Sequence, residues 1–488
     1  MSLGIDSPLV IIGLEILAVL LHVTVIAAVL LARRREPSAT LAWILFIVVA
    51  PFLGAGLYLL LGRTRMRRAA RRSNRAEARL RALLSRYDVR GRLERGTGVV
   101  DARTRAMIRL GGALASTPAS LGNATQALVD AATTYREIAD AIRQAQHHIH
   151  VEFYIIQPDA VGTGLRDLLA ERAAAGIEVR VLCDGIGSMS LPADFWAPLR
   201  AAGGRAATFA PLSKLIPHFR RRDRFDFRNH RKIVVVDGHI GFTGGINVGK
   251  EYLGLDPAIG KWRDTHIRIA GPAVLSLQQT FLQDWLLTTG QAPDDEHYFP
   301  ACPPAGECLV QVIDSGPDQA WASVELYYAQ AIALACERVW ITNPYFVPSQ
   351  LIEAALTVAA LRGVDVRILL PKKSDSRLVT WASHSYYAPL LHAGVRIFEY
   401  ARGFVHAKTM VVDEWVATIG SANMDMRSFK LNFELNAFVF GQRLCRDVAR
   451  QFALDLEAAT EVTGEWEKRM GLGRRLVRGV ARLLSPLL

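Results

Sequence analysis

The chain has little cysteine and no clustered metal ligands. Its 488 residues include five cysteines, Cys183, Cys302, Cys308, Cys336 and Cys445. They are scattered, odd in number and form no CxxC pair, which argues against a disulfide framework and a cysteine-built zinc site. They read as buried, reduced thiols. No metal-ligand spacing appears elsewhere, so neither a metal nor another cofactor is expected. Acidic residues are outnumbered, 46 Asp and Glu against 58 Lys and Arg, for a net charge of +12. That balance suits an anionic partner, nucleic acid or an anionic membrane, and charge alone does not choose between them. A cleaved signal peptide is not expected, because the N-terminus lacks a basic n-region and carries Asp6.

Apolar sequence, in contrast, is abundant. Hydrophobic residues make up 51% of the chain, and the mean hydropathy is +0.17. Leu9 to Ala32 is an apolar run of about bilayer-spanning length, and Ala39 to Leu61 is a second. Only Arg33-Arg34-Arg35-Glu36-Pro37-Ser38 separates them, so the pair reads as a transmembrane helical hairpin. Pro51 is expected to kink the second helix. Glu15 and His22 share one face of the first helix, with Glu15 read as neutral and either near the interface or packed on the second helix. A hairpin leaves the N-terminus and the rest of the chain on one side. Arg63, Arg65, Arg67, Arg68, Arg71 and Arg72 outnumber the arginines of the turn and favour a cytoplasmic location. A re-entrant or interfacial pair is the alternative.

Beyond a basic, helix-prone linker the chain repeats itself. HIHVEFYII from His148 parallels RVWITNPYF from Arg338, and GIEVRVLCDG from Gly176 parallels GVDVRILLPK from Gly363. LRAAGGRAATFAP from Leu199 parallels LLHAGVRIFEYAR from Leu390. Alternating helix, glycine turn and strand signals predict an α/β fold. The expected segments are 1–62 (membrane hairpin), 63–124 (basic helical linker), 125–300 and 301–460 (the two repeats) and 461–488 (a tail). From Leu472 the tail places Leu472, Leu476, Val480, Leu483 and Leu484 on one helical face. Arg474, Arg475, Arg478 and Arg482 fall on another. Such a helix suits an anionic bilayer surface, with packing on the protein body as the alternative.

Each repeat then reaches one signature. The first is His230-x-Lys232-x4-Asp237 followed by Gly244-Gly245-x-Asn247; the second is His406-x-Lys408-x4-Asp413 followed by Gly420-Ser421-x-Asn423. A phosphodiester must be gripped, attacked and split. Lysine supplies a point charge, asparagine neutral donors, and histidine a nucleophile, acid or base near neutral pH. Two copies supply a nucleophile on one side of phosphorus and an acid on the other. Histidine and lysine are two apart on a strand and project to the same side. Asp237 and Asp413, at odd spacing, face away and read as braces of the strand end. Lys214 to Lys232 is basic with interleaved aromatics; Arg220, Arg221 and Arg222 are candidates to hold anionic headgroups, with a solvated charge run as the alternative.

These paired motifs resemble the phospholipase D superfamily over roughly residues 125 to 460. RNHRKIVVVDGHIGFTGGINVG from Arg228, GSANMDMRSFKLNFELN from Gly420 and PSATLAWILFIVVAPFLGAGLYLLLGR from Pro37 resemble bacterial cardiolipin synthases. The resemblance implies two phospholipase D-like lobes with helix-flanked mixed β-sheets, packed about a pseudo-two-fold axis with both motifs at one interface site. It implies His230, Lys232, Asp237, His406, Lys408 and Asp413 as catalytic residues, with His230 the nucleophile and His406 the acid/base. Asn247 and Asn423 join the lysines on the phosphate. Asp264 and Glu434 match the family's downstream acids and orient the histidines. Gly245 departs from the usual serine that Ser421 keeps. The implied reaction joins two phosphatidylglycerols into cardiolipin and glycerol through a phosphatidyl-histidine. It needs no metal and no nucleic acid, and takes place at a bacterial inner membrane. Alternatives are a hydrolytic phospholipase D or phosphatidylserine synthase, a membrane-tethered nuclease, and a non-catalytic lipid-binding scaffold.

Overall fold

The computed structural model describes residues 8–31, 37–58, 85–87, 89–94, 100–115, 118–210, 227–255, 260–292, 295–463, 471–483 and 485. Arg220, Arg221, Arg222 and the arginines of both the hairpin turn and the segment after it lie outside the described residues. The chain divides into two compact units, Met1–Arg71 and Arg72–Leu488.

The first unit contains three helices, α1 (Pro8–Leu30), α2 (Pro37–Val49) and α3 (Pro51–Leu57). Pro51 does more than kink the second apolar run. Ala50 leaves helical geometry (φ −129°, ψ 74°) and Pro51 opens a separate helix, where its missing N–H costs nothing. Val25, Val29, Ile47, Ala55 and Tyr58 form a small core, and the Tyr58 hydroxyl donates to the Ala28 carbonyl at 3.1 Å. Gly54 allows close approach, since a Cβ there would lie 2.7 Å from the Phe46 carbonyl oxygen. Outward residues such as Val19, Leu20, Val23, Val48 and Phe52 are exposed and apolar. Several side chains of α1 and α2, Glu15 among them, are outside the described set. Among the described residues, no helix is long and apolar enough to cross a membrane.

The second unit is built on one long mixed sheet. Its first half contains β1 (Ser120–Val129), β2 (His148–Phe153), β3 (Glu178–Asp184), β4 (Arg205–Phe209), β5 (Arg228–Asn229), β6 (Ile233–Val236), β7 (Ile240–Gly244), β8 (Trp262–Arg263) and β9 (Thr265–Ala270). The second half contains β10 (Cys308–Ser315), β11 (Arg338–Thr342), β12 (Phe346–Val347), β13 (Asp365–Pro371), β14 (Arg396–Tyr400), β15 (Phe404–Val405), β16 (Thr409–Val412), β17 (Val416–Gly420), β18 (Met424–Asp425), β19 (Asn432–Phe440) and β20 (Ala459–Glu461). The spatial order in the first lobe is β1-β9-β7-β6-β2-β3-β4, and in the second β10-β19-β17-β16-β11-β13-β14 with β20 at the edge. The two orders are the same, so the sequence repeat is a structural repeat. The lobes join where β1 and β10 pair antiparallel, Ser120 opposite Val310 and Asn123 opposite Cys308.

Helices cover the sheet: α4 (Ala102–Leu114), α5 (Ala131–Arg143), α6 (Ala160–Ala174), α7 (Val274–Thr289), α8 (Ser323–Ala333), α9 (Gln350–Leu361), α10 (Arg377–His384), α11 (Gln442–Leu456) and α12 (Leu472–Leu483). The central strands β6 and β16 are buried on both faces, and β6 reads as an unbroken Val/Ile run. Helix α4 lies within the stretch expected as a linker, yet it packs on the second lobe. Asp101 caps it by accepting from the Arg103 and Thr104 amides, and Met107 is buried in that lobe's core.

Candidate active site

The two signatures meet where the lobes join. His230 follows β5, and His406 follows β15. Each short strand adds in parallel to the other lobe: Arg228 and Asn229 pair with Asn432 and Phe433, while Phe404 and Val405 pair with Trp262 and Arg263. The His230 amide donates to the Phe433 carbonyl at 2.9 Å, and the His406 amide to the Arg263 carbonyl at 2.7 Å. Each histidine is thereby hung beside the acid that follows the paired residues of the other lobe.

The acids are crossed between lobes. His230 Nδ1 lies 3.1 Å from Glu434, and His406 Nδ1 lies 2.7 Å from Asp264. A carboxylate on Nδ1 fixes the tautomer that leaves Nε2 free for chemistry. Burial alone would raise both acids. Lys408 and His406 outweigh it and hold Asp264 below its usual range, and His230 does the same for Glu434. Burial pushes both histidines down, His406 to about 4. Both are therefore neutral near pH 7.

The two lysines are fully buried. Lys232 Nζ donates to the His230 carbonyl at 2.6 Å, and Lys408 Nζ to the His406 carbonyl at 2.5 Å. Lys408 Nζ also lies 3.0 Å from His406 Nε2. Burial lowers Lys232 to about 7, and its neighbour Lys408 adds to the shift; burial lowers Lys408 to about 8. A pair of ammonium groups forced together out of water is an anion site in waiting, since a bound phosphodiester would restore both charges.

The remaining expected residues fall into different surroundings. Asn247 is tied into the protein: its Oδ1 accepts from the Ile155 amide at 3.1 Å and its Nδ2 donates to the Tyr252 hydroxyl at 2.6 Å. Asn423 is buried, and its Oδ1 has no hydrogen-bond partner. Asp237 and Asp413 sit at the far ends of the motif strands with left-handed backbones, φ 54° in both. Asp237 accepts from the amides of Gln146, His147 and His148 at 2.8–2.9 Å. Asp413 accepts from those of Glu337 and Arg338, at 2.8 and 3.0 Å, and pairs with Arg103 at 2.8 Å. Both carboxylates are spent on the strand next door.

Sequence reasoning missed a buried polar cluster behind His230. Arg231 occupies the gap in His-x-Lys and points to the opposite face. Its Nη1 donates to both Asp284 oxygens at 2.8 and 2.7 Å, and its Nε to the Glu434 carbonyl at 3.1 Å. Asn229 Nδ2 donates to Asp284 at 3.1 Å and to Glu152. Burial and Asp284 push Glu152 well above its usual range, so it is held as the acid. The signal was present: an arginine alternating with two inward residues needs a buried partner, and Asp284 is the lone acid in apolar helix α7. The second lobe has Ala407 at the equivalent place.

The aromatic lining was missed as well. The rings of Trp262, Phe404, Tyr252 and Tyr345 lie 5.1, 5.6, 6.1 and 6.3 Å from that of His406. His230 has Tyr154 at 4.9 Å, and Lys232 Nζ lies over the same ring. Gly245 is explained by its neighbour: a Cβ there would run into the Asp264 carboxylate. In the other lobe Ser421 Oγ donates to Glu434 at 2.5 Å.

Residues 138–285 and 328–456 match the family described as cardiolipin synthase, PLD-like domain. Residues 23–63 match the phospholipase D-nuclease N-terminal family. The chain is 40% identical over 467 residues to cardiolipin synthase 2 of Bacillus cereus, covering 95% of this chain and 89% of that one. It is 40% identical over 481 residues to a cardiolipin synthase of Geobacillus thermodenitrificans, covering 97% and 94%. Among solved structures, the phosphatidylserine synthase of Haemophilus influenzae shares the fold, with a TM-score of 0.59 at 14% identity over 80% of this chain and all of that one. The chain belongs to the cardiolipin synthase family of PLD-like proteins.

Proposed function

We propose that the chain is a membrane-bound cardiolipin synthase that uses phosphatidylglycerol both as phosphatidyl donor and as acceptor. The observation that carries this reading is the pair of neutral histidines, each backed by a carboxylate from the other lobe and each with a buried lysine bonded to its own carbonyl. Family membership supplies the phospholipid class.

The donor phosphodiester enters between the lysines, which draw toward its non-bridging oxygens and regain full charge. Asn247 and Asn423 add amide donors. The phosphate charge and Asp264 raise the proton affinity of His406, which becomes the acid. His230 Nε2 attacks phosphorus. The P–N bond forms, the bond to the headgroup glycerol oxygen breaks, and His406 gives that oxygen its proton. A second phosphatidylglycerol then presents its headgroup hydroxyl. His406 takes the proton back, the new P–O bond forms, and the P–N bond breaks. Glycerol and cardiolipin are the products, with every proton returned. Asp264 and Glu434 orient the histidines, whereas Asp237 and Asp413 brace the strands that carry the lysines.

In this reading α1 and the α2–α3 pair form an anchoring hairpin in a bacterial inner membrane, with the catalytic lobes on the cytoplasmic side. Their exposed apolar side chains support it. The low exposure of His406, 6%, and its aromatic surroundings favour an alcohol acceptor over water. The test is to incubate the purified protein with labelled phosphatidylglycerol as the sole lipid. One glycerol released per cardiolipin formed is expected. Phosphatidic acid as the sole lipid product would make the protein a hydrolase.

A further inference from the structure

Two helices of the second lobe turn apolar stripes outward. On α9, Leu351, Val358 and Leu361 are 41%, 54% and 70% exposed, and Ala354 completes the stripe at helical spacing. On α12, Leu476, Val480 and Leu483 are 64%, 60% and 79% exposed. Helix α12 packs on α10, with Ala481 buried against the lobe and the Ser485 hydroxyl 3.1 Å from that of Tyr386. Its residues Arg478 and Arg482 reach His384 (3.0 Å) and Glu353 of α9 (4.0 Å), so the charged side holds the helix down and the apolar side is left outside. That is the reverse of a helix that packs by its apolar face. Trp381 on α10, 42% exposed, adds an aromatic ring.

The stripe is not a requirement of the fold. In the first lobe α6 stands where α9 stands in the second, and its exposed positions, Ala160, Gly164, Asp167, Glu171 and Ala174, carry no large apolar side chain. Lone exposed apolar residues are ordinary, but stripes on adjoining helices mark an interaction surface. The surrounding charge selects the partner. Exposed Lys372, Lys373 and Arg377 flank the start of α10, and α12 carries arginines and no acid. Apolar side chains within a basic rim match an anionic bilayer surface.

We propose that α9, Trp381 and α12 form a membrane-docking face of the second lobe, which seats on anionic lipid. The face connects to the site: Asp375, two residues before α10, accepts from the Tyr345 hydroxyl at 2.6 Å, and the Tyr345 ring packs on His406. The proposal deepens the functional reading, because it concerns how a catalytic lobe reaches lipid substrate.

The experiment uses the full-length chain and two substrate forms, vesicles of phosphatidylglycerol and a short-chain, monomeric phosphatidylglycerol. The variants are Leu351→Gln/Val358→Gln/Leu361→Gln and Leu476→Gln/Val480→Gln/Leu483→Gln, all at exposed positions. Each triple variant is expected to lose at least tenfold in cardiolipin formation on vesicles and less than twofold on the monomeric substrate. The thermal midpoint should be unchanged. Equal loss on both substrates, or none on either, overturns the proposal. So does a change of mass in detergent with an unchanged ratio of the two activities, which makes the face a contact between copies. If the wild-type chain forms no cardiolipin from either substrate, it is the functional reading that fails, a result distinct from these.

Discussion

The two histidines follow equivalent strands in different surroundings. His230 lies in the polar half of the site. Its acid, Glu434, also accepts from Ser421 at 2.5 Å and Asn432 at 3.2 Å, and Arg231 locks the strand from behind to Asp284. His406 lies in the aromatic half. Its acid, Asp264, accepts at 2.7 Å, Gly245 leaves room for that carboxylate, and Ala407 replaces the arginine. A duplicated fold need not perform duplicated chemistry. A histidine whose acid is itself held by Ser421 and Asn432 suits a nucleophile that must form and release one bond. A histidine in a dry, aromatic wall suits an acid/base that must meet an alcohol while excluding water.

The crossed acids give the largest expected effects after loss of the histidines themselves. Asp264→Asn sits in the first lobe but should damage His406, and Glu434→Gln sits in the second but should damage His230. Each is expected to lower kcat by about 10²–10⁴-fold. The dependence of kcat on pH separates them, each acid variant set beside a His406 and a His230 variant. If the pH profile of Asp264→Asn matched that of a His230 variant, the crossed pairing would be wrong.

Gly245→Ser makes the first lobe resemble the second. Its side chain would enter the space of the Asp264 carboxylate and displace it from His406. A misplacement near 1 Å costs about 10²-fold in rate, so a comparable fall in kcat is expected, with KM nearly unchanged. Ser421→Gly removes one donor to Glu434 and should cost less. Steady-state kinetics of the two variants measure the asymmetry directly.

Smaller still is the effect of pH on stability. His406 is lowered to about 4, first by burial and then by Lys408, against about 6.5 in an unfolded chain. Below 6.5 the unfolded state binds a proton that the folded state refuses. The stability contributed is therefore complete above about pH 6.5 and is lost as pH falls toward 4, by at most about 3 kcal/mol. The thermal midpoint should decline over that window, and His406→Gln should flatten the decline. An unchanged slope in the variant would remove His406 as its source.

Much of this was legible in the sequence. Strand alternation put His230 and Lys232 on one side and turned Asp237 and Asp413 away, because a period of two needs no tertiary information. The repeat announced two like lobes. What sequence lacked was the connection between them. The antiparallel joining of β1 to β10 makes one sheet of two, and the parallel additions of β5 to β19 and β15 to β8 decide which acid meets which histidine. Those are long-range registers with no local signal. Arg103 of the supposed linker bracing Asp413 escaped for the same reason. Trp262, Phe404 and Tyr252 are core residues as well as site lining, and no local pattern separates the two roles.

The division of labour between the histidines is tested most directly by trapping the covalent intermediate. The protein is quenched in alkali early in its reaction with labelled phosphatidylglycerol, which preserves a P–N bond, and its peptides are sequenced by mass spectrometry. The phosphatidyl adduct is expected on the peptide carrying His230, and absent from it in His230→Gln. An adduct on His406 in the wild-type chain would contradict the assignment and exchange the roles of the two lobes.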